Sequence, residues 1–182
     1  MKLKISRVVK RWKYASMVKP SFDFQLNTAG DGRRFATQDT APYWKEAFAE
    51  FKLDPISVEP IFKNLTGNHF KDGAFVHPHT DVAPDGFVHV RCNLMLRKPK
   101  EGGNPILDGE ELDVKEGDLW LCLASMETHS STPIKGGERL IFSFGGLVPI
   151  DQINKILFIK SEKLDWYGRY ANKKLIYEKY IY

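Results

Sequence analysis

Residues 118–145 read DLWLCLASMETHSSTPIKGGERLIFSFG, and they decide the fold class of this 182-residue chain. Two apolar segments of strand length, 118–124 and 139–145, lie on either side of a connection rich in Ser, Thr, Pro and Gly. Such connections are typical of loops, and short runs of apolar and aromatic residues bounded by them are typical of strands. The pattern therefore predicts two strands joined by a loop.

The same pattern extends outward over residues 56–148. Short segments rich in β-branched and aromatic residues follow one another, and Gly, Pro, Asn and Asp separate them. No helix-length pattern interrupts these segments, so we expect the strands to pair in an antiparallel sheet or barrel. The other segments of this kind are ISVEPIFKNLTGN (56–68), GAFVHPHTD (73–81), FVHVRCNLML (87–96) and LDVKEGDLWLCLA (112–124).

Helical patterns lie on both sides of the strands. In the first flank, 1–55, four apolar residues recur at helical spacing and predict one helix packed on the sheet. The last flank, 149–182, carries a weaker helical pattern. We therefore predict a mainly β single domain over 1–182, with its core at 56–148 and helical or irregular flanks. The four residues at helical spacing are Trp44, Ala47, Phe48 and Phe51.

The composition is that of an ordinary globular protein, with 42% hydrophobic and 27% charged residues. No apolar run approaches the roughly 18 residues that a membrane span needs. The basic N-terminal segment lacks the apolar stretch of a secretory signal peptide. Two cysteines, Cys92 and Cys122, cannot form a disulfide scaffold. These features favour a reduced, cytoplasmic protein with no membrane partner.

The net charge of +4 is unevenly distributed. Residues 1–20 carry seven Lys and Arg and no acid, and residues 151–182 carry seven Lys and Arg against four acids. The middle, 21–150, therefore has 13 basic and 19 acidic residues, a net charge of −6. Basic termini can attract nucleic acid. The acidic middle argues against a nucleic-acid groove, so a solvated basic terminus is the simpler interpretation.

Three residues of the predicted strands form a candidate metal site. His79 and Asp81 are two residues apart, so in a strand their side chains point to the same face. His129 follows a later strand segment, which a jelly roll can bring alongside the first. Two imidazoles and one carboxylate hold one face of an octahedral Fe(II) ion and leave the other positions open. Open positions are what a catalytic metal needs.

Arg139 strengthens this interpretation. It begins the segment RLIFSFG, where alternation places Arg139, Ile141 and Ser143 on one face. A buried arginine beside a metal needs an anionic partner, and the guanidinium fork matches a carboxylate. The natural partner is a dicarboxylate that chelates the metal at one end and pairs with Arg139 at the other.

The set His79-x-Asp81, His129 and Arg139 resembles the signature of the 2-oxoglutarate, Fe(II)-dependent dioxygenases. The resemblance implies a double-stranded β-helix core, which is a jelly-roll variant. It implies that His79, Asp81 and His129 bind and use the catalytic iron, and that O2 and 2-oxoglutarate are cosubstrates. It also implies that Arg139 pairs with the distal carboxylate of 2-oxoglutarate. Ser143 is a further candidate contact, although many members carry the serine two residues after the arginine.

A narrower resemblance concerns the aspartyl/asparaginyl β-hydroxylases and bacterial proline hydroxylases. Those proteins place an arginine at the head of the strand after the His motif, as Arg91 is placed here. By that likeness, Arg91 is a candidate to bind a carboxylate of the cosubstrate or the substrate. The substrate would be an amino acid or a peptidyl residue, and the reaction a C–H hydroxylation. The aspartyl β-hydroxylases lack the carboxylate ligand, whereas Asp81 is present here.

Other interpretations remain open. A cupin-like metal enzyme would keep the ligands but would have no use for Arg139. A non-catalytic jelly-roll binding module would need neither. His77, two residues before His79, could replace Asp81 as a ligand, although the spacing favours Asp81. We expect His69 and His89 to have no role in the site.

Overall fold

The computed structural model describes residues 2–18, 31–35, 42–56 and 65–157, with backbone alone for 31–35. Antiparallel strands dominate these residues. The strands are β1 Val8–Val9, β2 Asp31–Phe35, β3 Leu65–Phe70, β4 Phe87–Arg97, β5 Pro105–Leu107, β6 Glu110–Glu111, β7 Leu119–Cys122, β8 His129–Ser131 and β9 Arg139–Pro149. The helices are α1 Ala15–Val18, α2 Pro42–Ala49 and α3 Ile150–Ile156.

The strands form two sheets. The major sheet has the order β1-β7-β4-β9-β3-β2, and the minor sheet has the order β6-β5-β8. Strands distant in sequence therefore lie side by side, as in a jelly roll. The prediction of a mainly β, jelly-roll fold is confirmed. The candidate site is lined by β3, β4, β7 and β9 of the major sheet and by β5 and β8 of the minor sheet.

The two long strands at the centre of the major sheet set the register of the fold. β4 pairs with β9 so that Arg91 lies opposite Gly145 and Asn93 lies opposite Ser143. One face of the sheet packs on the helices through a large apolar core that includes Phe142 and Phe144. The alternate residues therefore face the minor sheet, and the candidate site lies between the two sheets.

The predicted helix is α2, which buries Ala47 and Phe48 against the major sheet. Trp44 donates its indole N–H to the carbonyl of Gly145 on β9, at 2.6 Å. Gly146 lets the helix come this close, because a Cβ there would lie 3.0 Å from the Phe48 ring. The apolar residues at helical spacing predicted α2 because they form the face of the helix that packs on the sheet.

The flanks contribute more than helices. The first 55 residues supply β1 and β2, so the sheet extends beyond the predicted core of 56–148. In the last flank, α3 packs its buried residues Ile153 and Ile156 into the core, whereas the remaining helical pattern of 158–182 lies outside the described residues. None of the described helices is long and apolar enough to cross a membrane. Cys92 and Cys122 are buried free thiols.

Candidate active site

His79 and His129 face each other across an isolated antiparallel bridge. Each residue donates its backbone N–H to the carbonyl of the other, at 3.1 and 2.9 Å. Directly opposed residues project their side chains to the same side of the ladder. The two imidazole centroids accordingly lie 4.1 Å apart. Backbone pairing therefore joins two histidines that are far apart in the sequence.

Asp81 completes the cluster from the same segment as His79. Its backbone N–H donates to the carbonyl of Ala124, at 2.8 Å, which anchors the segment to the loop before β8. Asp81 Oδ1 lies 3.7 Å from His79 Nε2 and 3.9 Å from His129 Nε2. One donor atom from each of these three residues lies within 4.8 Å of the others. The structure thus brings the three predicted ligands together.

Both histidines present the correct nitrogen to the cluster. His79 Nδ1 donates to the carbonyl of His77 at 2.7 Å, and His129 Nδ1 donates to the carbonyl of Glu127 at 3.3 Å. A carbonyl can only accept, so the Nδ1 atoms carry the protons and the Nε2 lone pairs face Asp81. Burial also lowers the pKa of His129 to about 4, against the opposing effect of Asp81. A neutral imidazole is the form that binds a metal.

The donor set therefore fits a divalent transition metal. Two imidazole nitrogens and one carboxylate oxygen lie within 4.8 Å of one another, and such a set can hold one face of an octahedral metal ion while leaving other coordination positions open. No thiol belongs to the cluster, which disfavours the cysteine-rich sites of structural zinc. His77, the alternative ligand, is exposed and contacts the Phe75 ring, and its side chain is not part of the cluster.

An open cavity of about 160 Å³ leads from the metal cluster to Arg139. Arg139 is 3% exposed, and the described residues offer its guanidinium neither a carboxylate within 4 Å nor a hydrogen-bond acceptor for Nε. Burial lowers the pKa of Arg139 to about 9, so the residue stays charged at neutral pH. The cavity lining also includes Asn68, Phe70, Asn93, Trp120, Ile141 and Ser143.

The other predicted cofactor contacts lie nearer to the metal cluster. Arg91 donates Nε–H to Asp81 Oδ2 at 2.8 Å, and its Nη1 lies 3.5 Å from Ser143 Oγ. Arg139, Ile141 and Ser143 all line the cavity, as their alternation on β9 predicts. The predicted residues therefore occupy one continuous wall, with Arg91 and Ser143 at the metal end and Arg139 at the far end.

His89 contacts Asp81 of the cluster, although the sequence suggested no role in the site for it. It is buried on β4, and its Nδ1 lies 3.1 Å from Asp81 Oδ2. Hydrogen bonds from His89 and Arg91 lower the pKa of Asp81 well below its ordinary value, although burial acts in the opposite direction. His89 stands two residues before Arg91, so in a strand the two side chains share one face. That spacing is the feature of the sequence from which a contact of His89 with the site could have been suspected.

Solved structures with the same fold are known. An oxidoreductase of the 2OG-Fe(II) oxygenase family from Burkholderia pseudomallei matches with a TM-score of 0.56 at 10% identity, covering 76% of this chain and 82% of that chain. A Pseudomonas putida prolyl-4-hydroxylase matches with a TM-score of 0.54 at 18% identity, over 78% and 91% of the two chains. HygX from Streptomyces hygroscopicus, solved with nickel and 2-oxoglutarate bound, matches with a TM-score of 0.56 at 12% identity, over 78% and 82%.

At these identities the likeness establishes the shared fold. Neither the protein-family models nor the curated proteins compared with this chain give a match. The likeness confirms the double-stranded β-helix core, a jelly-roll variant, that the resemblance of His79, Asp81, His129 and Arg139 implied.

Proposed function

We propose that this protein is a 2-oxoglutarate- and Fe(II)-dependent dioxygenase that hydroxylates a C–H bond. The observation that carries the proposal is the placement of Arg139 in the cavity of the metal cluster. The guanidinium is buried and charged, and the described residues offer it no carboxylate. An anionic ligand in the cavity would offset the cost of that buried charge.

Arg139 also separates this proposal from its alternatives. A cupin-like metal enzyme that does not use 2-oxoglutarate needs the His79, Asp81 and His129 cluster but not a buried arginine facing it. A binding module without a metal needs neither feature. A dicarboxylate that chelates a metal through one end requires both features at opposite ends of one cavity, and this cavity has both.

Each residue of the site then has a defined role. His79, Asp81 and His129 would hold Fe(II), which, when bound, supplies O2 activation coupled to the conversion of 2-oxoglutarate to succinate. Arg139 binds the distal carboxylate and so fixes the direction in which the keto acid enters. Ser143, beside Arg91, offers a hydroxyl to the bound keto acid. Ile141, Phe70 and Trp120 give the cavity apolar walls.

We extend the proposal to an amino acid or a peptidyl residue as the substrate. Two likenesses support this class of substrate. The chain shares its fold with a prolyl-4-hydroxylase, and Arg91 stands at the head of the strand after the His motif, where the hydroxylases also place an arginine. His79 lines the cavity and its side chain is 47% exposed, so the metal end of the cavity is open to an entering substrate.

The experiment compares two keto acids that differ only at the Arg139 end. Calorimetry measures the affinity of 2-oxoglutarate and of 2-oxobutanoate, which lacks the distal carboxylate, for Mn(II)-loaded wild-type protein and for Arg139→Met. We expect Arg139→Met to weaken 2-oxoglutarate binding by about 2–5 kcal/mol, the scale for truncating one side of a buried charged pair. Binding of 2-oxobutanoate should change little, because it makes no contact with the guanidinium.

Three results would count against the proposal. If 2-oxoglutarate bound to both proteins equally well, Arg139 would not be its carboxylate partner. If both keto acids were weakened to the same extent, the substitution would have damaged the metal end of the cavity instead. Failure of the wild-type protein to bind any keto acid would favour the alternatives.

A further inference from the structure

The two oxygens of the Asp81 carboxylate have different surroundings. Oδ2 is contacted by His89 Nδ1 at 3.1 Å and by Arg91 Nε at 2.8 Å. Neither His89 nor Arg91 contacts Oδ1 at such a distance. Oδ1 instead lies 3.7 Å from His79 Nε2 and 3.9 Å from His129 Nε2. One oxygen is therefore held by the protein, and the other faces the metal position.

The two donors to Oδ2 come from one rigid element. His89 and Arg91 are alternate residues of β4, which pairs with β9 on one side and with β7 on the other, so their side chains point to the same face. The backbone of His89 is fixed as well, since its N–H donates to Ser125 Oγ at 2.9 Å and its carbonyl accepts the Ser125 N–H at 3.3 Å. The imidazole is 3% exposed, which limits its freedom to move.

We propose that His89, together with Arg91, is a positioning residue that orients Asp81 for metal binding. By occupying Oδ2, the pair restricts Asp81 to one metal-binding oxygen, Oδ1, and keeps the carboxylate from taking a second coordination position. This inference rests on the proposed function, because it assumes that the cluster binds Fe(II). It assigns Arg91 a role at the metal end, in addition to the predicted contact with a carboxylate of the cosubstrate or substrate.

His89 and Arg91 are not equivalent in this role. The guanidinium of Arg91 also reaches toward Ser143 at the cavity wall, so a substitution of Arg91 would alter keto-acid binding directly. His89 is buried and does not line the cavity. A substitution of His89 therefore reports the orientation of Asp81 without removing a group from the keto-acid site.

The experiment measures metal binding by the protein without any keto acid. Free Mn(II) is followed by electron paramagnetic resonance, and the visible spectrum of the Co(II)-loaded protein reports the coordination geometry. We expect His89→Leu to raise the Mn(II) Kd by about 10–100-fold, the usual cost of losing such an outer-sphere partner, and to change the Co(II) spectrum. His89→Asn should recover most of the affinity, because its amide nitrogen can stand where Nδ1 stands.

His69→Leu is the matched control. His69 is another buried histidine of the same sheet, on β3, and it lies near Glu138 rather than near the cluster. The variant His69→Leu should be less stable than the wild-type protein, because His69 is buried, and should keep the wild-type Mn(II) affinity. A loss of Mn(II) affinity in this control equal to that in His89→Leu would overturn the inference, because the effect would then be a general one.

The outcomes separate the inference from the function on which it rests. Failure of the wild-type protein to bind Mn(II) or Co(II) would overturn the proposed function. Binding by His89→Leu with the wild-type Kd and Co(II) spectrum would overturn the orienting role alone. If His89→Leu does not fold, His89→Gln is used instead. The glutamine amide nitrogen corresponds to Nε2 of the histidine and therefore does not replace Nδ1. Equal Mn(II) affinities of His89→Asn and His89→Gln would then overturn the role of Nδ1.

Discussion

Arg139 shows how a single residue links the packing of this protein to its proposed chemistry. The side chain is buried beside Phe70, with the guanidinium 5.7 Å from the ring centroid, so a cation–π contact replaces part of its lost hydration. Such a contact does not supply the hydrogen bonds that a guanidinium needs when buried. A carboxylate bound in the cavity would supply them, which explains why a costly residue is built into β9.

At the same scale, Asp81→Ala should abolish the formation of succinate from 2-oxoglutarate in the presence of Fe(II) and O2. The substitution removes one of the three proposed ligands but no part of the apolar core, so a cooperative thermal unfolding transition should remain. Succinate is measured by NMR and unfolding by circular dichroism. His77→Ala is the control, because it removes the other candidate ligand, and it should keep its succinate formation. Normal succinate formation by Asp81→Ala would show that Asp81 is not a ligand.

At the scale of elements, the loop between β4 and β5 shapes the Arg139 end of the cavity. Gly103 has a φ of 66°, and a Cβ there would lie 3.2 Å from Arg139 Cδ and 3.0 Å from Pro99 Cγ. The loop is tied to the segment before β9, since the Gly103 N–H donates to the carbonyl of Thr132 at 3.3 Å. The glycine thus leaves the space in which the arginine side chain lies.

Gly103→Ala should therefore weaken 2-oxoglutarate binding in addition to destabilising the loop. Gly109→Ala is a matched control, because Gly109 has a φ of 84° and open space at the Cβ position. Both variants should lose about 1–2 kcal/mol of folding free energy from the left-handed backbone. Only Gly103→Ala should lose 2-oxoglutarate affinity, measured by calorimetry on the Mn(II)-loaded protein. Equal affinities in the two variants would mean that the loop does not position Arg139.

Asp118 connects the N-terminal segment to the start of β7. Its buried carboxylate accepts the N–H groups of Arg11 and Lys115, at 3.0 and 2.9 Å, and the ammonium of Lys10 at 2.9 Å. Burial opposes ionisation, but these donors hold the pKa of Asp118 below its ordinary value of 3.8. The ionised Asp118 carboxylate therefore stabilises the folded protein. This stabilisation is fully present above the pKa of Asp118 in the unfolded chain, and it is lost as the pH falls from that pKa to the lower pKa of the folded protein.

Asp118→Asn should accordingly lower the free energy of unfolding at neutral pH by about 1.5–3 kcal/mol, the scale for hydrogen bonds to a charged group. The difference from the wild-type protein should shrink as the pH falls below 3.8, because the carboxyl of the unfolded wild-type chain is protonated first and that of the folded protein only at lower pH. Urea unfolding at a series of pH values measures this. A difference that stayed constant down to the most acidic value would contradict the assignment.

At the scale of the whole molecule, the basic N-terminal segment is a structural part of the domain. Arg7 donates to Glu127 Oε1 at 2.7 Å, and β1 pairs with β7. Glu127 has a fully buried side chain, accepts the N–H of Leu123, and offers its own backbone carbonyl to His129 Nδ1. The first residues of the chain therefore help to hold the loop that leads into β8, whose first residue is the predicted metal ligand His129.

Arg7→Met should cost about 3–5 kcal/mol of folding free energy, because it leaves the Glu127 carboxylate buried and unpaired. The double variant Arg7→Met/Glu127→Gln should recover a large part of this loss, since the neutral amide oxygen still accepts the N–H of Leu123. Chemical denaturation of the two variants and the wild-type protein measures both effects. A double variant no more stable than Arg7→Met would show that the charge of Glu127 is not the cause.

Local patterns explain what could be predicted from the sequence. The spacing of Trp44 and Phe48 predicted α2, and the two-residue period placed His79 with Asp81 and Arg139 with Ser143. Long-range pairing could not be predicted in this way. His89 has the appearance of an ordinary residue of an apolar strand, and it contacts Asp81 only because the loop before β8 brings the two segments together. Likewise, nothing within residues 2–18 indicates that this segment pairs with β7.

The most direct test of the proposed function is the anaerobic addition of Fe(II) and then 2-oxoglutarate to the metal-free protein. A chelated keto acid gives a weak visible charge-transfer band, and His79→Ala is the control. We predict a band that needs both additions in the wild-type protein and that is absent in His79→Ala. Iron binding without the band would contradict the use of 2-oxoglutarate, and the absence of iron binding would contradict the metal site itself.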